Sequence, residues 1–194
     1  MSNSRPIRRA KTVKSPRILD ELSRDRSYYV RMEVAGNPNT PVEILTRLSQ
    51  DENWEVHRKV AQNPNTPVEI LIRLSENEPH WVRSKVAYNP NASVEILTRL
   101  SRDEYDMVRQ GVARNPNTPV EILTRLSRDE KWPVRSEVAI NPNTPVEILI
   151  RLNRDRDEHY MVREGVAHNP KWQAIEETGL LDVARLASKW LNIL

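Results

Sequence analysis

The sequence lacks cysteine altogether, has only four glycines among its 194 residues, and contains no long apolar run. Without cysteine there can be no disulfide, no thiolate metal site and no cysteine nucleophile. A membrane-spanning helix needs about 20 consecutive apolar residues, so we expect no membrane segment. The N-terminus also lacks the apolar stretch of a secretory signal, and we predict a cytoplasmic protein.

Residues that carry enzyme chemistry are scarce or unsuitably placed. The four histidines, at positions 57, 80, 159 and 168, are too scattered for metal-ligand spacing. The few glycines form no phosphate-binding loop and no nucleophile elbow. Carboxylates and hydroxyls recur at regular intervals along the chain, whereas a catalytic site needs one asymmetric constellation. We therefore predict no enzyme activity, no cofactor and no metal ion.

The formal net charge of +3 comes from one end of the chain. Residues 1–17 hold six basic residues and no acidic one, whereas the remainder has 24 basic and 27 acidic residues. We predict that residues 1–14, which are polar and aperiodic, form a disordered basic tail. Such a tail is either simply solvated or touches nucleic acid or another anionic surface.

One motif recurs along most of the chain. It is clearest as V-A-Q-N-P-N-T-P-V-E-I-L-I-R-L-S, which begins at Val60 and has near-copies at intervals of 26 residues. The near-copies begin at Val34, Val86, Val112 and Val138, and a degraded sixth copy begins at Val166. A fixed period of this length indicates stacked supersecondary units. We predict one repeat domain over residues 15–194, with an N-terminal cap or half-repeat at 15–33, repeats at 34–170 and C-terminal capping helices at 171–194.

Each unit is predicted to contain two helices. In the unit 40–65, Thr40 is a candidate N-cap, Pro41 suits the first helical position and Glu43 completes a capping box. A second helix, over about residues 52–61, ends at an Asn-Pro pair because proline disfavours helix in the residue before it. Apolar residues line one side of each helix, and neither helix can bury them alone. The fold class is therefore an all-α solenoid of about six two-helix repeats with helical caps.

The pattern V-R-x-x-V-A-x-N-P-x-T-P-x-x-x-L-x-x-L-x-x-D, for instance from Val134 to Asp155, resembles the leucine-rich repeat variant family, and the likeness extends over residues 18–170. The resemblance implies a bacterial, HEAT-like helical repeat protein. It also implies a right-handed superhelix in which the second helix of each repeat is a short α-helix or a 3₁₀ helix. One family member is known for an N-terminal iron–sulfur module, which the absence of cysteine excludes in this chain. The family implies no catalytic residues.

Two sets of arginines repeat with the motif. Arginines of the first helix could form a phosphate track, but a glutamate four residues earlier is placed to neutralise each one. Arginines of the second helix fall within its apolar arc, so we expect them to bond helix-end carbonyls or loop aspartates. The turn asparagines are likewise predicted to bond backbone groups rather than a ligand. The first set is Arg47, Arg73, Arg99, Arg125 and Arg151; the second is Arg31, Arg83, Arg109, Arg135 and Arg163, with His57 as the exception.

Five positions of the second helix differ between repeats while the rest of the unit is nearly constant. On a helix of 3.6 residues per turn they form one continuous arc, opposite the constant residues. Seven of the ten aromatic residues lie in this arc, together with methionines and arginines, and protein interfaces favour these residue types. The candidate partner-binding residues are Tyr28, Tyr29, Trp54, Arg58, Trp81, Tyr88, Met107, Arg114, Trp132, Tyr160 and Met161.

These features predict a non-enzymatic scaffold that binds a protein or peptide through the variable arc. The alternative is a nucleic-acid-binding repeat protein, in which the aromatics stack on bases and the arginines and basic tail bind phosphates. The slightly acidic repeat region disfavours that alternative. Two further interpretations stay open: the rings pack between neighbouring repeats, or the chain is a duplicated or artificial scaffold without a single partner.

Overall fold

The structure, a computed structural model, describes residues 4–76, 78–154 and 159–178, and within these ranges its regular elements are all α-helices. The chain divides into two compact units, residues 1–111 and 112–194. None of the helices in the described ranges is long and apolar enough to cross a membrane. The predicted all-α helical-repeat fold is confirmed, whereas the single domain over residues 15–194 stays a prediction.

The order of the helices follows the repeat. The helices are α1 Ser4–Thr12, α2 Pro16–Leu22, α3 Tyr28–Gly36, α4 Val42–Leu48, α5 Trp54–Gln62, α6 Val68–Leu74, α7 His80–Tyr88, α8 Val94–Leu100, α9 Asp106–Arg114, α10 Val120–Leu126, α11 Trp132–Ile140, α12 Val146–Arg154, α13 Tyr160–Ala167 and α14 Pro170–Glu177. Even numbers are the first helices of the repeats and odd numbers the second helices. From α3 to α13 the second helices are α-helices of eight or nine residues, so the 3₁₀ alternative does not apply.

The helices form two layers within each unit. Second helices pack side by side: α3 contacts α1 and α5, α5 contacts α7, and in the second unit α11 contacts α13. First helices pack against the second helices before and after them, as α4 does against α3 and α5. The core between the layers includes Ile44, Leu45 and Leu48 of a first helix and Val56 and Val60 of a second helix. Full burial of one such side chain contributes about 1.5–3 kcal/mol, and this packing stabilises helices too short to persist alone.

The first asparagine of each turn joins neighbouring repeats. The Nδ2 of Asn63 donates to the carbonyl oxygens of Ala35 at 2.8 Å and Asn37 at 3.0 Å, and its Oδ1 accepts from the backbone N–H of Asn65 at 2.9 Å. Asn63 is buried, so it satisfies helix-end carbonyls where water has little access. Equivalent carbonyl bonds are made by Asn37, Asn89, Asn141 and Asn169. The prediction that these asparagines bond backbone groups is confirmed.

The threonine before each first helix does not act as the predicted N-cap. The N-cap residue of α4 is Pro41, which has no side-chain cap, while the buried Thr40 donates its hydroxyl to the carbonyl oxygen of Val34 at 2.6 Å. The threonine thus closes the end of the preceding second helix. Ser93 stands where other repeats have proline, and its side chain accepts from the N–H of Ile96 at 3.3 Å. Thr66, Thr118 and Thr144 make the same bond as Thr40.

Residues 4–12, which we predicted to belong to a disordered tail, form helix α1 instead. This helix packs against α3, and Ala10 is fully buried. The carbonyl oxygens of Ala10 and Val13 accept bonds of 2.9 and 2.8 Å from Asn37 Nδ2, as the end of a second helix does in later repeats. The helix is therefore a degenerate second helix that covers the first repeat. Its basic side chains Arg5, Arg8, Arg9 and Lys11 are exposed.

The C-terminal part departs from the regular unit in two places. Leu152 precedes Val162 by ten residues, whereas the equivalent Leu126 precedes Val134 by eight, so this repeat has a two-residue insertion. Helix α12 continues to Arg154, two residues beyond the equivalent end of α10, so the insertion begins as helix. Helix α14 starts directly at Pro170 and buries Trp172, in the position of the first predicted capping helix. The second capping helix, predicted near residues 180–193, lies outside the described residues.

Glycine is required at one helix contact, which gives a first testable prediction. A Cβ on Gly111 would lie 2.8 Å from the Cβ of Ala87 and 3.0 Å from the carbonyl oxygen of Ser84, so a rigid neighbour would have to move. We expect Gly111→Ala to lower the free energy of unfolding by about 1–3 kcal/mol. At Gly36 the nearest atom is Cδ of the flexible Lys59 at 3.3 Å, so Gly36→Ala should be neutral or raise stability by up to about 1 kcal/mol. Urea titration of both variants checks this, and equal effects would contradict it.

Candidate functional site

Several predicted binding residues expose large rings or apolar chains. Tyr160 is 63% exposed, Tyr29 49%, Trp81 44%, Met107 44%, Trp54 40% and Trp132 37%. Tyr28, Tyr88 and Met161 are half-buried. Interface cores favour such side chains more than an ordinary solvated helix face does, so their exposure supports the choice of this surface as the candidate site.

The exposed rings of the first unit form a row at the N-terminal ends of the second helices. Trp54 at the start of α5 approaches Trp81 of α7, with ring centroids 6.3 Å apart. His80 lies 3.6 Å from the ring of Trp81 and stacks on Tyr105 at 3.9 Å, with ring planes 9° apart. At the start of α3, the centroids of the two tyrosine rings are 4.1 Å apart. The aromatic strip consists of Tyr28, Tyr29, Trp54, His80, Trp81 and Tyr105.

Two residues of the aromatic strip were missed by the sequence prediction. Tyr105 is 41% exposed but directly precedes α9, and only positions within the helices were compared. His80 lay in the variable arc without being chosen, because a lone histidine suggested no anchor. Both sit beside chosen tryptophans in the repeat alignment, so extending the comparison by one residue toward the N-terminus would have found Tyr105.

The tyrosine pair at the start of α3 is electrostatically coupled. A hydrogen bond to Tyr29 raises the pKa of Tyr28 to about 12, and desolvation and the charges of Tyr29 and Glu55 act in the same direction. Because the neutral phenol is favoured in the folded state, its contribution to stability is complete below the ordinary pKa of 10.0 and is lost as pH rises toward 12. At neutral pH the Tyr28 phenol is therefore uncharged.

The second unit has a smaller aromatic cluster at the equivalent helix ends. Trp132, at the start of α11, stacks on His159 with centroids 4.0 Å apart and planes 6° apart. His159 also lies 4.7 Å from the ring of Tyr160, and its Nδ1 accepts from the N–H of Met161 at 3.3 Å. Ring contacts between adjacent repeats thus recur in both units.

At two of the five variable positions, small residues of some repeats face a neighbouring helix instead of solvent. The buried Ser84 donates to the carbonyl oxygen of Met107 at 3.3 Å, and Ser136 donates to that of Met161 at 3.2 Å. Gly111 is buried beside Ser84 in the same way as Gly165 is beside Ser136. These small residues of the variable arc therefore pack between repeats. The exposed part of the variable arc therefore lies mainly at the N-terminal ends of the second helices and on the residues next to them.

The charged candidates of the variable arc are engaged with carboxylates. Arg58 lies 3.0 Å from Oε2 of Glu55 on the same helix, and Arg114 lies 3.3 Å from Oε2 of Glu137 on α11. Both arginines remain partly exposed, so these pairs contribute little to stability. They reduce the positive charge that this face offers to a phosphate.

The second-helix arginines have the predicted structural role. Arg31 makes a bidentate pair with Asp51 at 2.6 and 2.9 Å and donates to the carbonyl oxygen of Asp25 at 2.9 Å. Arg83 repeats this with Asp103 at 2.7 and 3.0 Å and with the carbonyl oxygen of Glu78. The bonded aspartates raise the pKa of both guanidinium groups further above their ordinary value, against the opposing effect of burial. These pairs join each second helix to the loop of the next repeat.

His57 is the one exception to the arginine pattern, and the residue at the aspartate position differs as well. Arg31 and Arg83 precede their aspartates by 20 residues, and His57 has Asn77 at the same spacing. The Nδ1 of His57 lies 2.8 Å from Oε1 of Glu78, yet neither ring nitrogen makes a hydrogen bond of acceptable geometry. We regard this as proximity and not as a formed ion pair. The arginine–aspartate combination is thus replaced by histidine and asparagine in this repeat.

The first-helix arginines are occupied, but not by the predicted glutamates. Arg47 donates to the hydroxyl of Ser23 and to Oδ1 of Asp20 at 2.7 Å, and this bond holds the pKa of Asp20 below its ordinary value. Arg73 donates to the hydroxyl and carbonyl oxygen of Ser49. Each serine is the C-cap of the preceding first helix, where a cation is favoured by the helix dipole. Arg99 and Arg151 bond Ser75 and Ser127 in the same way.

The arrangement of repeated helix pairs is shared with known proteins. Repeated helix pairs joined by a buried asparagine ladder define a helical-repeat scaffold. The family model for the leucine-rich repeat variant matches residues 28–53 and 108–131. A solved structure, described as a leucine-rich repeat variant with a novel repetitive protein structural motif, is 30% identical, with a TM-score of 0.57 over 80% of this chain. The segments 28–53 and 108–131 are therefore identified as leucine-rich repeat variant repeats.

The similarity covers only part of that solved structure. The chain spans 61% of the length of that solved structure. No curated protein matches the chain. The repeat architecture therefore carries over, and the partners of this protein are inferred from its own surface.

Proposed function

We propose that this helical-repeat scaffold binds a protein or peptide partner through the exposed ends of its second helices and catalyses no reaction itself. The observation that carries the proposal is the aromatic strip, in which rings such as Trp54 and Trp81 are exposed on a backbone fixed by buried asparagines. A fixed frame keeps the rings ordered before binding, so little conformational entropy is lost on association. Exposed tryptophan and tyrosine are also the commonest anchors of protein interfaces.

The nucleic-acid alternative has weaker support. The phosphate track that it needs would use the first-helix arginines, and Arg47, Arg73 and Arg99 already bond the C-caps of preceding helices. Helix α1 offers exposed basic residues beside α3, so the phosphate contacts of this alternative would rest on that one helix. Titration of the chain with single-stranded DNA over a range of salt concentrations tests this alternative, because phosphate binding weakens steeply as salt rises.

The proposal is tested by selecting binders from a random-peptide phage library on the immobilised full chain. We expect enriched peptides whose affinity falls about tenfold or more in a Trp54→Ala/Trp81→Ala/Trp132→Ala variant, because interface tryptophans each contribute about 1–2 kcal/mol or more. Circular dichroism confirms that the variant remains helical.

The matched control replaces three exposed apolar residues of the first helices. Val42→Ala/Val94→Ala/Val120→Ala removes side chains that are 44%, 55% and 45% exposed, outside the variable arc. Affinity for the selected peptides should be unchanged in this control. The proposal is wrong if no peptide is enriched, or if the valine and tryptophan variants weaken binding equally.

A further inference from the structure

The aromatic strip lies in a markedly acidic part of the surface. The segments 25–29, 51–55, 77–81 and 103–107, which lead into α3, α5, α7 and α9, contain eight carboxylates and a single arginine. Asp51 and Asp103 are neutralised by buried pairs with arginine, and Glu55 is paired with Arg58. The side chain of Glu52 is 87% exposed even though it touches a guanidinium, and Glu104 is exposed beside Tyr105. The rings are therefore flanked by negative charge that faces solvent.

The helix ends themselves do not reverse this charge. Each helix N-terminus carries about half a positive charge, which is smaller than the full charge of one carboxylate. In α5 the N-terminal dipole is further engaged by the side chain of Asn53, which accepts from the N–H of Glu55 at 2.9 Å. An anionic ligand such as a phosphate would thus meet net repulsion at the aromatic strip.

Aromatic faces and carboxylates together favour one kind of side chain. A guanidinium or ammonium group is attracted to the face of a tryptophan or tyrosine ring and also to nearby carboxylates. The structure already contains such a contact, since the guanidinium carbon of Arg83 lies 5.8 Å from the centroid of the Tyr105 ring. The outward parts of Trp54, Trp81 and Tyr29 are exposed and remain accessible to a partner.

The spacing of the rings matches an extended peptide. The centroids of Trp54 and Trp81, which lie on adjacent repeats, are 6.3 Å apart. Alternate side chains of an extended chain lie on the same face about 6.6–6.8 Å apart. A peptide lying across α5 and α7 can therefore place two alternate side chains beside Trp54 and Trp81.

Building on the proposed function, we infer that the aromatic strip binds an extended peptide segment in which arginine or lysine occupies alternate positions. The cationic groups lie against the rings of Trp54 and Trp81, with Tyr29 at one end, and the exposed carboxylates supply charge complementarity. Partner choice is then set by the charge and spacing of the peptide more than by its apolar side chains.

The test measures fluorescence anisotropy of labelled decapeptides added to the full chain. The probes are alternating Gly-Arg, alternating Gly-Lys, alternating Gly-Glu, and a block peptide of five arginines followed by five glycines. We expect the two alternating basic peptides to bind, the block peptide to bind several-fold more weakly, and the acidic peptide not to bind. Equal binding of the block and alternating peptides would show charge attraction without the proposed register and would overturn the inference.

Variants separate the contributions of rings and charges. Trp54→Ala/Trp81→Ala should weaken binding of the Gly-Arg peptide about tenfold, because both cation–π contacts are lost. Glu52→Gln/Glu104→Gln should weaken it several-fold and flatten its salt dependence. Val42→Ala/Val94→Ala, on the first helices and outside the variable arc, is the control and should have no effect. Unchanged affinity in the first two variants would contradict the inference.

Two other outcomes assign the aromatic strip to a different occupant. If phage selection gives peptides that are sensitive to Trp54 and Trp81 but lack basic residues, the proposed function stands and this inference fails. If sedimentation shows self-association that Arg8→Ser/Arg9→Ser abolishes, helix α1 of a second copy occupies the strip, and the inference also fails. A chain that remains monomeric and binds the alternating basic peptides supports it.

Discussion

Replacing Asn63 with alanine is expected to lower the free energy of unfolding by about 3 kcal/mol. The change leaves the buried carbonyl of Ala35 without its side-chain donor, removes one donor from the carbonyl of Asn37, and frees the N–H of Asn65. Each buried polar group left unsatisfied costs about 1–3 kcal/mol, and the small cavity left by the amide adds to that loss. Guanidinium titration followed by tryptophan fluorescence measures the effect.

The same turn supplies a matched control. Asn65 is exposed, and its Nδ2 donates to the carbonyl oxygen of Pro38 at 2.6 Å. Asn65→Ala removes the same side chain two residues away, but water can replace the lost bond, so the expected loss is within about 1 kcal/mol. Equal losses at Asn63 and Asn65 would show that burial of the ladder does not determine its contribution.

A third variant separates hydrogen bonding from side-chain size. Asn63→Asp keeps the shape but places a carboxylate against two carbonyl oxygens, where the amide had donated. At neutral pH we expect a larger loss than for alanine, because a buried charge without a donor is costly. The loss should decrease as pH falls and the carboxyl group becomes protonated. A variant as stable as the wild-type chain would contradict the assigned direction of these bonds.

The asparagine ladder shows what the sequence alone could predict. The turn asparagine recurs at a fixed position, and a polar residue that every repeat keeps at one place is explained by the backbone groups that every repeat must satisfy. The same reasoning placed Arg31 and Arg83 on loop aspartates correctly, because their angular position lies inside the apolar arc. For residues that recur at the same position of each repeat, the sequence pattern therefore predicts the kind of interaction that they make.

Interactions between repeats were harder to predict than features within one repeat. Arg47 was assigned to Glu43 because helix geometry favours pairs four residues apart, but it bonds Ser23, 24 residues earlier. Ser84 and Gly111 were placed on a solvated arc because a single helix has one buried side, whereas these helices have neighbours on both flanks. A helical wheel contains no information about those flanking helices.

Helix α1 was missed for a different physical reason. Ile7 and Ala10 are too few apolar residues to produce a helical period, and the surrounding basic residues resemble a solvated tail. Packing against α3 and the two bonds from Asn37 stabilise a helix that local sequence alone does not specify.

Breaking the pair between Arg31 and Asp51 is expected to have an effect as large as loss of the ladder asparagine. Their side chains are only 11% and 7% exposed and share two short bonds. Arg31→Met keeps the length of the side chain but leaves the Asp51 carboxylate buried without its cation. Removing one partner of a buried pair costs about 3–5 kcal/mol, and we expect about 3 kcal/mol because the N–H of Asn53 still donates to Asp51. Urea unfolding at pH 7 measures the loss.

One repeat of the chain replaces both members of this pair, and this double replacement gives a more specific test. His57 and Asn77 occupy the positions that arginine and aspartate hold in the units of Arg31 and Arg83. We expect Arg31→His and Asp51→Asn each to destabilise the fold alone, while the double variant lies within about 1 kcal/mol of the wild-type chain. A coupling energy of about 2–3 kcal/mol would follow, as for residues that form one buried network. If the double variant is as unstable as Arg31→Met, the histidine–asparagine combination is not an equivalent solution, and its occurrence in the second repeat needs another cause.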